Sequence, residues 1–240
     1  MSSFVDLLPQ EMQATPAESR ATVTWPDQPR ERAIPWSLES FARDQIRGLV
    51  EQVFLASPTS PRQVVFSAVD GGFEIVTLCL QIAEVITRHT PGNVCVVDAF
   101  PRVASGKVPE KQTVAPSCAR RFGTLRDSAE QLSESLWFMR SDVFCTGDHP
   151  FSAIWLRARL AELRLEFDYT VLVSPEASQI EGAMLGSLAD GLVLVLRANF
   201  TRRVTAQKVR KTLCGANARL LGTVLTARTF PIPEALYKRL

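Results

Sequence analysis

Gln63-Val-Val-Phe-Ser-Ala-Val-Asp-Gly-Gly-Phe-Glu-Ile-Val-Thr-Leu-Cys-Leu-Gln-Ile-Ala83 reads as a strand, a tight loop and a helix. Gln63 to Val69 is a short run rich in apolar and β-branched residues, Gly71-Gly72 makes a turn, and Ile75, Leu78, Cys79, Ile82 and Ala83 recur at helical spacing. A glycine loop opening onto a helix N-terminus can wrap phosphate groups in backbone N–H donors. In a working nucleotide site it also supplies a Lys for the β- and γ-phosphates and a Ser or Thr hydroxyl for Mg²⁺. Here those positions fall among Phe73, Glu74, Ile75 and Val76, and no lysine precedes Lys107. At about 4 Å and an effective dielectric near 20, a Lys–phosphate pair attracts by roughly 4 kcal/mol, and a Glu in its place repels by a similar amount. The frame of a phosphate loop is present without its charge. Glu74 also has a purely structural role open to it, because a carboxylate suits the first turn of a helix.

Downstream of this unit, Val94-Cys-Val-Val-Asp98 predicts a strand that ends on a carboxylate, and Leu136 to Met139 a short strand. Phe151 to Leu165 predicts a helix with its charges outward, followed by a buried strand at Tyr169 to Val173. A helix at Gln179 to Leu188, an apolar strand at Gly191 to Leu196, a basic helix at Thr201 to Leu213 and a last strand at Arg219 to Leu225 complete the series. Upstream, Ser37 is placed to cap a helix whose Leu38, Phe41, Ile46, Leu49, Val50, Val53 and Phe54 share one face. Strands alternating with helices imply an α/β fold, a doubly wound and mostly parallel sheet flanked by helices. Ligands of such sheets gather at the carboxyl ends of the strands, so Asp70, Gly71, Gly72, Phe73, Glu74, Ile75 and Asp98 would border one crevice. Asp98 has an equally good reading as a turn residue. Arg202, Arg203, Lys208, Arg210 and Lys211 cluster on the late helix, as a solvated face or as a contact for an acidic partner or lipid surface.

Composition narrows the class. The 27 basic and 25 acidic residues nearly cancel, which gives no general attraction to nucleic acid or to an anionic membrane. Met1 to Pro35 carries Pro9, Pro16, Pro26, Pro29 and Pro35 without sustained periodicity and reads as an extended or disordered tail, leaving 36–240 as the folded domain. Cys79, Cys95, Cys118, Cys145 and Cys214 form no Cys-x-x-Cys pair, which suits reduced thiols. With only His89 and His149 besides, no metal site is expected. No apolar run approaches the roughly 18 residues needed to cross a bilayer, so the expectation is a cytoplasmic chain.

With the strands placed, the segment from about Trp36 to Leu240 resembles the cytoplasmic P-loop domain of bacterial tyrosine autokinases of exopolysaccharide synthesis, in the MinD/ParA-like class. Ser67-Ala-Val-Asp-Gly71 stands at the opening of the Walker A loop. Val96-Val-Asp-Ala-Phe-Pro-Arg102 resembles the second acidic motif, and Phe167-Asp-Tyr-Thr-Val-Leu-Val-Ser-Pro175 the Walker B run. Ala189-Asp-Gly-Leu-Val-Leu-Val-Leu-Arg-Ala198 with Thr201-Arg-Arg203, then Leu220-Leu-Gly-Thr-Val-Leu225, complete the match. The resemblance implies a P-loop NTPase-like three-layer sandwich. It also extends the crevice to Ser174, beside the Walker B position, and to Thr226, where the class has an adenine-reading Asn.

The departures fall on the chemistry. The Walker A Lys and Ser/Thr are missing, Phe100 replaces the second Asp of the second motif, Val173 replaces the Walker B Asp, and only Tyr169 and Tyr237 remain as tyrosines. The implied function is a catalytically degenerate pseudo-ATPase with no catalytic residues and no cofactor, a binding or regulatory module for a protein partner in polysaccharide synthesis and export. That partner would hold it at the periphery of the inner membrane, and self-assembly is compatible with the family although the arginine spacing around Glu39-Ser-Phe41 departs from it. The alternative is an enzyme that binds Mg-ATP weakly and completes its site with a partner subunit.

Overall fold

The computed structural model describes residues 38–57, 59–70, 75–99, 124–145, 152–174 and 176–228. The tail expected at 1–35, the Ser37 cap and the segment 101–121 lie outside the described residues.

Seven strands form one sheet: β1 (Gln63–Ala68), β2 (Val94–Asp98), β3 (Glu130–Ser133), β4 (Leu136–Met139), β5 (Tyr169–Ser174), β6 (Gly191–Arg197) and β7 (Leu220–Thr226). Their spatial order is β3-β4-β2-β5-β1-β6-β7. Every pair is parallel except β3 with β4. The middle strands read as unbroken apolar runs because both faces of the sheet are covered. Val64, Phe66, Val94, Val96, Val171, Val173, Val193 and Val195 belong to one core, and Val65, Cys95, Val97, Leu172, Leu192 and Leu194 to the other. Successive residues of a strand thus enter opposite layers, as the two-residue period of a pleated strand requires.

Helices α1 (Leu38–Val50) and α2 (Ile75–His89) cover the first face, with Val50, Phe54, Ile75, Cys79, Ile82 and Ile86 in its core. Two four-residue helices, α3 (Leu125–Ser128) and α4 (Ser141–Phe144), lie with the long helices α5 (Ala153–Glu166), α6 (Ile180–Leu188) and α7 (Arg203–Gly215) on the second. Leu156, Leu160, Leu163, Leu185, Val209 and Leu213 fill that core. The result is the expected three-layer α/β sandwich.

Four details differ from the sequence reading. Strand β3 carries no apolar pattern, since Glu130 to Ser133 are all exposed; it exists because hairpin pairing with β4 satisfies its backbone. The first helix does not run uniformly to Phe54, because Glu51–Leu55 forms a π-helical turn. Helix α7 begins two residues after Thr201, whose hydroxyl is committed to the turn: it accepts from the Arg197 N–H at 2.9 Å. Arg159 does not sit outside α5. Its guanidinium donates to the carbonyls of Val143 (3.2 Å) and Phe144 (3.4 Å), tying α4 to α5.

Candidate functional site

The carboxyl ends of β2, β5, β1, β6 and β7 form one edge of the sheet, and the candidate residues distribute along it. Strand β1 is central, with Ser67 opposite Ser174 of β5 and Ala68 opposite Val195 of β6. The chain leaves β1 through Val69, whose N–H donates to the Val195 carbonyl at 3.1 Å, and reaches Asp70. Gly71, Gly72, Phe73 and Glu74 lie outside the described residues. Ile75 opens α2 as a buried core residue.

Asp70 is half-buried, and its carboxylate accepts a hydrogen bond from the Thr201 hydroxyl across the β6–α7 turn. The same hydroxyl oxygen accepts from the Arg197 N–H, so Thr201 links the first loop of the fold to the sixth strand. Asp98 ends β2 opposite Val173. Its charge acts on two thiols with which no local sequence pattern connects it. The Cys79 thiol of α2 is pushed far above its usual range, first by burial and then by Asp98. The Cys145 thiol after α4 is pushed up to about 11 by burial and by Asp98, against the opposing pull of Arg159, and donates to the Ala99 carbonyl at 3.2 Å. Both shifts disfavour the thiolate form that reacts as a nucleophile.

Ser174 ends β5 at 4% exposure, and its hydroxyl has no hydrogen-bond partner. A hydroxyl left unpaired in the interior costs about 1–3 kcal/mol. Gly182 on α6 permits this packing: a Cβ there would stand 3.1 Å from Ser174 Oγ and 3.0 Å from the Glu176 carbonyl. Val173, the preceding residue, is buried at 4% among Val171, Val193 and Val195. Thr226 ends β7 two strands from β1, and its hydroxyl donates to the Leu196 carbonyl at 3.0 Å. Ala227 follows with φ 53°, a left-handed conformation that costs a non-glycine residue roughly 1–2 kcal/mol.

The structure therefore brings Asp70, Asp98 and Ser174 to neighbouring strand ends, leaves Thr226 further along the same edge, and buries Ile75. Thr201, Cys79 and Cys145 are the additions. Thr201 could have been found from its place in the Thr201-Arg-Arg203 motif, whereas nothing in the sequence points from Asp98 to the two thiols. Among the described residues no group of three or more His, Cys, Asp or Glu side chains could hold a metal ion. No helix among them is long and apolar enough to cross a membrane.

No family model matches the chain, and no curated protein matches it. Solved structures match it in fold. The BceF tyrosine kinase domain aligns with a TM-score of 0.58 at 19% identity, covering 77% of this chain and 76% of its own. The kinase domain of the Escherichia coli tyrosine kinase ETK gives 0.58 at 14% identity, over 80% and 79% of the two chains. A ParA family ATPase from Chlorobium tepidum TLS gives 0.52 at 13% identity, over 69% and 74%. The shared element is the three-layer sandwich of bacterial tyrosine kinase domains and ParA-like P-loop proteins.

Proposed function

We propose that this chain is a kinase-like P-loop domain that has given up nucleotide chemistry and serves as a binding or regulatory module for a protein partner in exopolysaccharide synthesis and export. The observation that carries this reading is Val173. At the end of β5, where the resemblance calls for the Walker B carboxylate, stands a valine at 4% exposure, packed into a continuous apolar core. An apolar residue there can neither orient a metal-bound water nor accept a proton. The remaining losses point the same way. Asp70 is turned onto Thr201, Thr226 onto the Leu196 carbonyl, and no lysine precedes Lys107 to meet a phosphate. The described donor set does not fit Mg-ATP, and no catalytic step is assigned to it. In this reading the partner carries the domain to the inner membrane.

One observation favours the alternative, an ATPase or tyrosine kinase that completes its site with a partner subunit. The Ser174 hydroxyl is buried without a partner, as a hydroxyl awaiting a ligand would be. Incubating the purified chain with Mg-ATP and probing for phosphotyrosine separates the two readings. The proposal expects no signal, alone or with the partner complex added. ATP-dependent phosphotyrosine on this chain or its partner, lost on changing Ser174 or Asp98, establishes the enzyme instead.

A further inference from the structure

Charge is unevenly distributed along this chain. The segment Gly191 to Arg228, covering β6, α7 and β7, contains eight Arg and Lys residues and no Asp or Glu, so the remainder of the chain is net acidic. Five of those charges, Arg202, Arg203, Lys208, Arg210 and Lys211, are on or beside α7. All five are exposed, and none forms an ion pair among the described residues. The contrast with the other face of the sheet is direct: Arg43 and Arg47 of α1 and Arg88 of α2 each have a Glu one turn away. Val209 and Leu213 anchor α7 in the core. At 100° per residue the outward arc then runs from Arg203 and Arg210 through Lys211 and Val204 to Lys208. Apolar surface lies within this basic arc. Val204 is 76% exposed, and Phe200, in the turn that precedes α7, is 56% exposed, with the Arg197 guanidinium 4.3 Å from its ring centroid.

We infer that the outer face of α7 docks the domain directly onto an anionic phospholipid surface. Unpaired cations surrounding a small apolar centre are the chemistry of an interfacial contact: the charges attract acidic headgroups while Val204 and Phe200 enter the headgroup boundary. The solvent face of a helix packed on a sheet is convex, which suits a flat, laterally mobile leaflet better than a peptide that needs a cleft. Duplex DNA would satisfy the charges but give Val204 and Phe200 no apolar counterpart. This contact is independent of whether the crevice binds a nucleotide.

Each basic residue near an anionic leaflet contributes about fivefold to partitioning, and the effect is screened by salt. The test is sedimentation of the full 240-residue chain with phosphatidylcholine vesicles, with and without phosphatidylglycerol. The expected result is binding only to the anionic vesicles, released as salt rises. Lys208→Gln and Lys211→Gln should each weaken it about fivefold and together about 25-fold. Arg157→Gln, at an exposed position of α5, should leave it unchanged, and all these variants should melt like the parent. Failure to sediment with anionic vesicles at low salt overturns the inference, as does binding insensitive to the α7 changes. Preferential retention on duplex DNA under the same conditions would reassign the face to nucleic acid.

Discussion

At the amino ends of β1, β5 and β6, the polar groups close on one another across long sequence separations. Asp190 accepts from the Arg62 and Gln63 amides, both at 2.9 Å, and pairs with Arg164, which donates to Gln63 Oε1 at 2.8 Å. The Gln63 amide donates onward to the Leu160 carbonyl at 2.8 Å, and Asp168 accepts from the Asn93 N–H at 2.8 Å. At the carboxyl ends of the same strands, Val173 is buried where the resemblance calls for a carboxylate and the Ser174 hydroxyl is unpaired. The first edge is built as scaffold, its charged and amide groups bonded across the sheet, although the Thr170 hydroxyl within it is buried without a partner, as Ser174 is at the other edge. The second has the layout of a ligand site but an apolar residue at its centre. On the proposed reading the sheet keeps its architecture while its functional edge changes character, because networks that hold the strands together lie at the opposite end.

The comparison is strained most by forcing a charge onto the apolar edge. Val173→Asp supplies the carboxylate that the resemblance calls for, yet it places that charge in an apolar core and opposite a second carboxylate, Asp98. The expected cost is about 3–5 kcal/mol in denaturant unfolding, with no gain of ATP hydrolysis. A variant as stable as the parent would show that the edge is wetter and more polar than its packing indicates.

Breaking the scaffold edge should cost less, because water can reach part of it. Asp190→Asn weakens the pair with Arg164 and the acceptors for two amides, and about 2 kcal/mol is expected, roughly 4–8 °C in Tm. Burial alone would raise the Asp190 carboxyl, but the Gln63 and Arg62 amides and the Arg164 guanidinium outweigh it and hold it below its usual value. Its contribution is therefore complete above the unfolded-state value of about 3.9 and is lost as pH falls through the lower folded-state value. The parent should lose this stabilisation in that acid range while Asp190→Asn lacks it at every pH, so the two melting curves should converge there.

Much of this architecture is legible in the letters. β1, β2, β5 and β6 are apolar runs bounded by turn residues, and burial on both faces is what makes such runs readable, whereas β7 carries a similar run on a partly exposed edge. β3 is not readable, because Glu-Gln-Leu-Ser acquires its structure only from its partner strand. For the site, the absence of any lysine before Lys107 and the valine at position 173 are visible in the sequence, and under the proposed function both are losses. The bond from Thr201 to Asp70, 131 positions apart, and the reach of Asp98 to Cys79 and Cys145 depend on tertiary packing, to which no local period gives access.

The smallest expected effect is at the unpaired hydroxyl. Ser174→Ala removes a buried group that has no partner, so stability should be unchanged or rise by about 1 kcal/mol in thermal melts. A loss exceeding about 1 kcal/mol would mean that Ser174 is bonded in solution, and the contrast between the two edges would weaken.

The central claim, that the crevice edge has lost its nucleotide chemistry, is tested most directly by isothermal titration of the full chain with Mg-ATP. No heat beyond dilution is expected up to millimolar nucleotide, with Tm unchanged in the same buffer. A saturable heat approaching one ATP per chain, with a Tm rise of about 5–10 °C at 100-fold saturation, would contradict the account.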